Sequence, residues 1–348
     1  MPDVWFVIPG NIETLTGGYI YARRLIEALP GAGWQPHIVS LPGGFPKPTP
    51  AELGLTRQAF ESLPKGAVVL VDGLAFGVLP QDILDDLDLR FVALVHHPLA
   101  LESGLSEAEA LRLHTSEKAA LKNAAVVVTT GPDTARTLTA RYGIPADTLF
   151  VALPGTDPAE RSQGHGDTPQ LLTVATLTYR KGHDVLLRAL AAITDLPWTS
   201  VWAGSMTREM ETTATVHSMI KSHKLEERIE QRGEIAGDEL DDLYMRSNVF
   251  VLPSRHEGYG MAFAEALAHG LPIVACAAGA VPDTVPRNAS VLVPPDDPEA
   301  LAAALRLLLT DTQKRSSLAE AAWTHGQQLP RWSNTAANVA KALTAATP

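Results

Sequence analysis

Short runs of consecutive apolar residues alternate, along most of the chain, with longer stretches whose apolar positions recur every three to four residues. Unbroken aliphatic runs of this length suit strands buried on both faces, and the longer period suits helices that pack by one stripe. In the first half the runs "VWFVIP", "PHIVSL", "AVVLVDG", "FVALVHH" and "AVVVTT" predict strands, with helices over 19–29, 106–123 and 132–142. In the second half strands are predicted at "QLLTVATL", "WTSVWAG", "RIEQRG", "VFVLPS", "PIVACAA" and "SVLVPP". They interleave with helices beginning near His183, Arg208, Asp238, Met261 and Pro298, and after about Asp311 only helical pattern remains. Strand and helix in alternation predict an α/β class, with parallel sheets covered by helices on both faces.

The pattern lapses once, over 153–168, where "LPGTDPAERSQGHGDT" is polar and rich in Gly and Pro, as an exposed connection would be. With 348 residues the chain suits two domains rather than one core. The reading is a domain over 1–165 and another over 166–330, two similar βα-alternating domains facing each other across a cleft. Ligands of such sheets bind beyond the carboxyl ends of the strands, so the loops that follow strands are where chemistry is expected.

Composition narrows the classes. Hydrophobic residues make up 45% and charged ones 19%, which fits a soluble globular chain. The formal charge is -11, and residues 1–165 alone carry 12 Lys+Arg against 18 Asp+Glu, which argues against a nucleic-acid partner held by phosphate neutralisation. A single cysteine, Cys276, can form no internal disulfide and points to a reducing compartment. The start "MPDVWFVIPGN" lacks the basic opening of a signal peptide, and no stretch of about 20 apolar residues predicts a membrane span, so a cytoplasmic location is expected.

Candidate chemistry sits in four loops. In "SRHEGYGMAFAEALAHGLPIVA", Glu257 and Glu265 flank Gly258, Tyr259 and Gly260, and a helix begins near Met261. Free amides at such a helix start suit a phosphate, while the two carboxylates, acceptors only, suit hydroxyls on either side of it, as in a nucleotide sugar. The alternative is a dipole-complementing Glu265 and a solvated Glu257. In "TLTYRKGHDVLL", Arg180 and Lys181 follow a strand and could neutralise a departing diphosphate, or be an exposed basic turn. Gly17 and Gly18 follow the first strand and would let a ligand approach the backbone, without the spacing of a dinucleotide fingerprint. His96 and His97 end the fourth predicted strand and should point to opposite sides of it. The acidic run around Asp86–Asp88 reads as solvated surface rather than a metal loop, His217 and His223 lack zinc spacing, and Met206, Met210 and Met219 read as packing residues. No metal site and no cofactor is expected.

Taken together these loops resemble the retaining glycosyltransferases of family 4, whose fold, GT-B, pairs two Rossmann-like domains. The segment "VFVLPSRHEGYGMAFAEALAHGLPIVA" is similar to that family's E-x7-E motif, with Glu257 and Glu265 in its acidic positions. The resemblance implies that Glu257 contacts the donor sugar, Glu265 holds the ribose diol, and Arg180 and Lys181 bind the diphosphate. It further implies that Gly18 lies near that diphosphate, that His96 sits close to the transferred sugar, and that Ile235 lines the base pocket. Gly17, Gly258, Tyr259, Gly260 and Met261 complete the implied donor site. The chain departs from the family pattern at Thr176, where an arginine is usual, and at Asp283, in place of glutamate in "GAVPD".

The resemblance also implies that a final helix over 331–348 returns to the first domain, with Trp323 and Trp332 at the crossover. The function implied is transfer, with retention and without metal, from a UDP- or GDP-type nucleotide sugar to a hydroxyl of a glycan, lipid or small molecule. The first domain would take the acceptor and the second the donor. Peripheral membrane contact is open to relatives acting on lipids, although no strongly basic amphipathic helix supports it here. The rivals are a nucleotide-sugar epimerase of the same fold and a non-catalytic sugar- or nucleotide-binding protein.

Overall fold

The computed structural model describes all residues except Ser103, His165 and Pro348. The chain divides into two compact units, one from Met1 to Gly155 together with the terminal segment from Pro330, the other from Thr156 to Leu329.

The first unit holds a parallel sheet of β1 (Asp3–Pro9), β2 (Gln35–Leu41), β3 (Val68–Asp72), β4 (Arg90–Val95), β5 (Val126–Thr129) and β6 (Leu149–Val151), in the order β2-β1-β3-β4-β5-β6. Val7 registers with Val39 on one side and Val71 on the other, and both faces of the central strands are buried, which is why they read as unbroken apolar runs. Strand β6 has three half-buried residues and adds an edge that the hydrophobic pattern does not reveal.

The terminal helix Trp332–Ala345 packs on this unit. The Trp332 ring meets Tyr21 edge-on at 5.7 Å, and Thr335 Oγ1 donates to the Leu153 carbonyl at 2.7 Å. Gly155 is required here, since a Cβ on it would stand 2.3 Å from the Trp332 nitrogen. Trp323 does not join this contact: it lies in the second unit, with the Arg161 guanidinium 6.0 Å from its ring centroid and its Cβ beside Gly270.

The second unit holds β7 (Gln170–Val174), β8 (Thr199–Ala203), β9 (Ile229–Gly233), β10 (Val249–Leu252), β11 (Ile273–Cys276) and β12 (Ser290–Val293), all parallel, in the order β12-β11-β10-β7-β8-β9. Strand order reverses between β7 and β10, so consecutive crossovers leave on opposite faces and open a crevice at the carboxyl ends of these two strands. The boundary between units falls at Gly155/Thr156, upstream of the position read from composition. The reason is that Ser162 and Gln163 are already tied to the second unit: Ser162 N donates to His269 O at 2.8 Å, its Oγ to Ser247 O at 2.7 Å, and Gln163 N to Met245 O at 3.0 Å.

Met206 and Met219 pack against the core of this unit, whereas Met210 is 67% exposed at the start of the helix Met210–Ser222 and is no packing residue. Asp82 and Asp86 in the first unit are bridged by Arg57 at 2.8 and 3.5 Å, a surface ion network. Among the described residues no helix is long and apolar enough to cross a membrane, and no group of three or more His, Cys, Asp or Glu gathers where it could hold a metal ion.

Candidate active site

Two loops meet at the switch point of the second sheet. After β7 the chain runs through Thr176 to the turn Tyr179–Lys181, then Gly182 opens the helix His183–Ala191. After β10 it runs through Pro253 and Ser254 to Gly260, which opens the helix Met261–Ala268. Gly182 has φ +72°, and a Cβ on it would lie 2.2 Å from the Pro253 carbonyl oxygen, so only glycine allows the two loops to touch. Gly260 likewise sits at φ +91°, which turns the chain sharply into the helix.

Glu257 lies where these loops meet and is only 5% exposed. Ser254 Oγ donates to its Oε1 at 2.6 Å, Lys181 Nζ to the same oxygen at 2.7 Å, and Arg180 NH1 to Oε2 at 3.4 Å and to the His256 carbonyl at 2.9 Å. Burial by itself raises a carboxyl, but the Lys181 and Arg180 charges and the bonds from Lys181 and Ser254 outweigh it and hold Glu257 at about 2. It is ionised at neutral pH. The backbone beside it is equally fixed, because Ala280 N donates to Glu257 O at 2.9 Å and a Cβ on Gly279 would come 2.5 Å from that oxygen.

Glu265, about one turn into the next helix, has a different environment. Its Oε2 accepts from Tyr244 OH at 2.8 Å, and among the described residues the charges acting on it are those of Asp241 and Asp157. Burial raises its carboxyl to about 7; the Tyr244 hydrogen bond pulls it down and the nearby Asp241 and Asp157 charges push it up. Tyr244 is itself held by a parallel stack on His269, at 4.8 Å between ring centroids, and His269 Nδ1 is 3.0 Å from the Glu160 carbonyl and therefore donates to it. One carboxylate is thus locked in its charged form, and the other is poised to change near neutral pH.

Tyr259 is buried, which lifts its hydroxyl to about 12, and its carbonyl accepts from Thr284 Oγ1 at 2.7 Å. Gly258 and Met261 are half-buried. Ile235 follows β9 and packs against the cluster that includes Tyr244 and Phe263. Thr176 is half-buried in the loop after β7, and Asp283 lies in the short helix Val281–Thr284 just beyond the Glu257 contact.

In the first unit Gly17 and Gly18 open the helix Gly17–Ala28 after β1, and His96 follows β4. A Cβ on Gly18 would stand 3.4 Å from His96 Cδ2 and Nε2, so these two residues pack together. The Tyr21 ring meets the imidazole edge-on at 5.3 Å, and Asp72 Oδ2 lies 3.6 Å from His96 Nε2. The His96 carbonyl already accepts from Thr130 Oγ1 at 3.3 Å and Thr134 Oγ1 at 3.2 Å. Its two lone pairs are used, which leaves the imidazole as the group with hydrogen-bonding capacity to offer. His97 points elsewhere, with Nε2 3.0 Å from Glu102 Oε2.

Sequence reading missed Ser254, Tyr244 and Asp72. Ser254 lies three residues before Glu257, a spacing that could have suggested a local side-chain bond. Tyr244 comes from the helix Asp238–Arg246 that precedes β10, and Asp72 read as the end of a strand; no motif marks either one.

Residues 157–325 match the family model of glycosyl transferases group 1. A D-inositol 3-phosphate glycosyltransferase of Corynebacterium aurimucosum is 29% identical over 269 residues, which cover 69% of this chain and 63% of that protein. The chain therefore spans less than two thirds of that relative's length. Sucrose-phosphate synthase from Thermosynechococcus elongatus superposes with a TM-score of 0.84 at 22% identity, covering 98% of each chain. HepE of Anabaena, solved in complex with UDP-glucose, gives 0.78 at 17% identity, covering 98% of this chain and 99% of that one. At such identities the structures show the fold: two six-stranded parallel sheets with helices, as in GT-B glycosyltransferases.

Proposed function

We propose that this chain, whose residues 157–325 form a glycosyl transferases group 1 domain, moves a sugar from a nucleoside diphosphate donor to an acceptor hydroxyl, with retention of configuration and without a metal ion. The observation that carries the reading is Glu257, buried and ionised between Lys181 and Arg180 at the switch point of the second sheet. Such a cluster offers an anionic acceptor for sugar hydroxyls beside two cations for a diphosphate.

On this reading the second unit binds the donor. Arg180 and Lys181 neutralise the diphosphate as its charge grows, taking the part a divalent cation plays elsewhere. Glu257 accepts from a hydroxyl of the transferred sugar, and Glu265 from the ribose diol, with Gly258, Tyr259, Gly260 and Met261 forming the helix start between them. Ile235 is assigned to the base. The first unit, with Gly17, Gly18 and His96 at the carboxyl ends of its strands, is assigned to the acceptor. The bond from the anomeric carbon to the diphosphate breaks as the acceptor oxygen bonds on the same face, and the acceptor's proton passes to the departing phosphate oxygen. The UDP-glucose complex of HepE supports a UDP-type donor, with a GDP-type donor as the alternative.

A thermal-shift screen against UDP, GDP and their sugars tests donor binding, because a ligand that binds only the folded chain raises its melting temperature. With the donor so found, the variant R180A/K181A should lose about 100- to 1,000-fold in turnover. Normal turnover by that variant, or release of an epimerised nucleotide sugar without acceptor, refutes the reading.

A further inference from the structure

Arg255 stands one step outside the residues given roles above. Its NH1 and NH2 donate to Asp184 Oδ1 and Oδ2 at 2.9 Å each, and its Nε to Asp296 Oδ1 at 2.7 Å. The guanidinium carbon lies 3.9 Å from the centroid of the Tyr179 ring, NH1 also donates to the Tyr179 carbonyl, and the main-chain N–H donates to the Arg180 carbonyl at 2.8 Å. Tyr179 comes just before the Arg180–Lys181 pair and Asp184 just after Gly182, so one side chain grips the cationic turn on both sides.

We propose that Arg255 is a positioning residue that holds the turn Tyr179–Lys181 against the loop of Glu257, so that Arg180 and Lys181 stay aimed at a nucleoside diphosphate; this rests on the donor-binding reading above. Two carboxylates, Asp184 and Asp296, already neutralise its guanidinium, which makes Arg255 a poor phosphate ligand in its own right. What it supplies is geometry. Long cationic side chains have many rotamers, and their aim depends on a backbone that does not move. Only a planar fork can satisfy both Asp184 oxygens while keeping its central carbon over the Tyr179 ring, so lysine should not replace it.

The test uses R255K and D184N, each made in the wild-type chain and in R180A/K181A. The probe is whichever of UDP and GDP stabilises the wild type, with UDP-glucose or GDP-mannose as the matching donor. Single-turnover rates are taken with enzyme in excess, below every variant's melting temperature. In the wild-type background both variants should slow turnover about 10- to 100-fold. In R180A/K181A neither should slow it further, although each should still lower the melting temperature. A general structural role would instead lower the rate by the same factor in both backgrounds, and that result overturns the proposal. So does wild-type turnover by R255K in a chain that binds the nucleoside diphosphate. Failure of the wild type to bind any nucleoside diphosphate overturns the donor-binding reading as well, and so separates the two.

Discussion

Replacing Glu257 by Gln removes a charge and little volume, and the arrangement around it predicts two effects of opposite sign. Glu257 is held at about 2 against an ordinary 4.5. The difference corresponds to roughly 3 kcal/mol of preference for the ionised form. All three side chains are mostly buried, at 6% exposure for Glu257, 17% for Lys181 and 20% for Arg180, so solvent screens little of it. In E257Q the two cations lose their partner, and the unliganded chain should lose stability of that order, about 3 kcal/mol. An incoming diphosphate no longer competes with a carboxylate for Lys181 and Arg180, and a fraction of the same energy returns as affinity, about 10-fold for UDP or GDP. Turnover moves the other way. Without the anionic acceptor for the donor sugar, single-turnover rates should fall about 100-fold or more. Calorimetric titration with the nucleoside diphosphate, paired with rapid-quench turnover, reads both. Weaker nucleoside diphosphate binding together with preserved turnover would mean that Glu257 neither balances the cations nor meets the sugar.

Other outcomes follow from the same geometry. Glu257's folded value lies below its unfolded one, so the stability it contributes is complete above about pH 4.5 and lost as pH falls toward 2; urea titrations of wild type and E257Q should differ at pH 6 and converge near pH 2. Glu265, raised to about 7, has the reverse sign: its contribution weakens as pH rises from about 4.5 through 7, while donor affinity, which needs the ionised acceptor, should improve over the upper part of that range. Y244F removes the hydroxyl that favours the charged form, and should move the midpoint of the donor KM profile to higher pH, measured between pH 6 and 9. G182A forces a side chain into a left-handed backbone and onto the Pro253 carbonyl, and should cost about 2 kcal/mol or more by chemical denaturation.

Much of this molecule was determined by the sequence alone. Strands buried on both faces leave unbroken apolar runs, and helices between them leave a period near 3.6, so the α/β class and nearly every strand were readable from local pattern. Glu257, Arg180 and Lys181 were readable too, because each lies in a loop after a strand, where such sheets carry their ligands, and Glu265 because it lies in the helix such a loop opens. Strand β6 was not, since three half-buried residues carry no period. Nor was the place where one unit gives way to the next, which is fixed by hydrogen bonds from Ser162 and Gln163 to distant backbone rather than by composition. Tertiary structure alone decided that the two carboxylates differ. Both are glutamates eight positions apart, yet Glu257 meets Lys181 from a loop 76 residues away, and Glu265 meets the hydroxyl of Tyr244 and the negative charge of Asp241 and Asp157. Charge state follows from neighbours in space, and the order of residues along a chain does not say who those neighbours are.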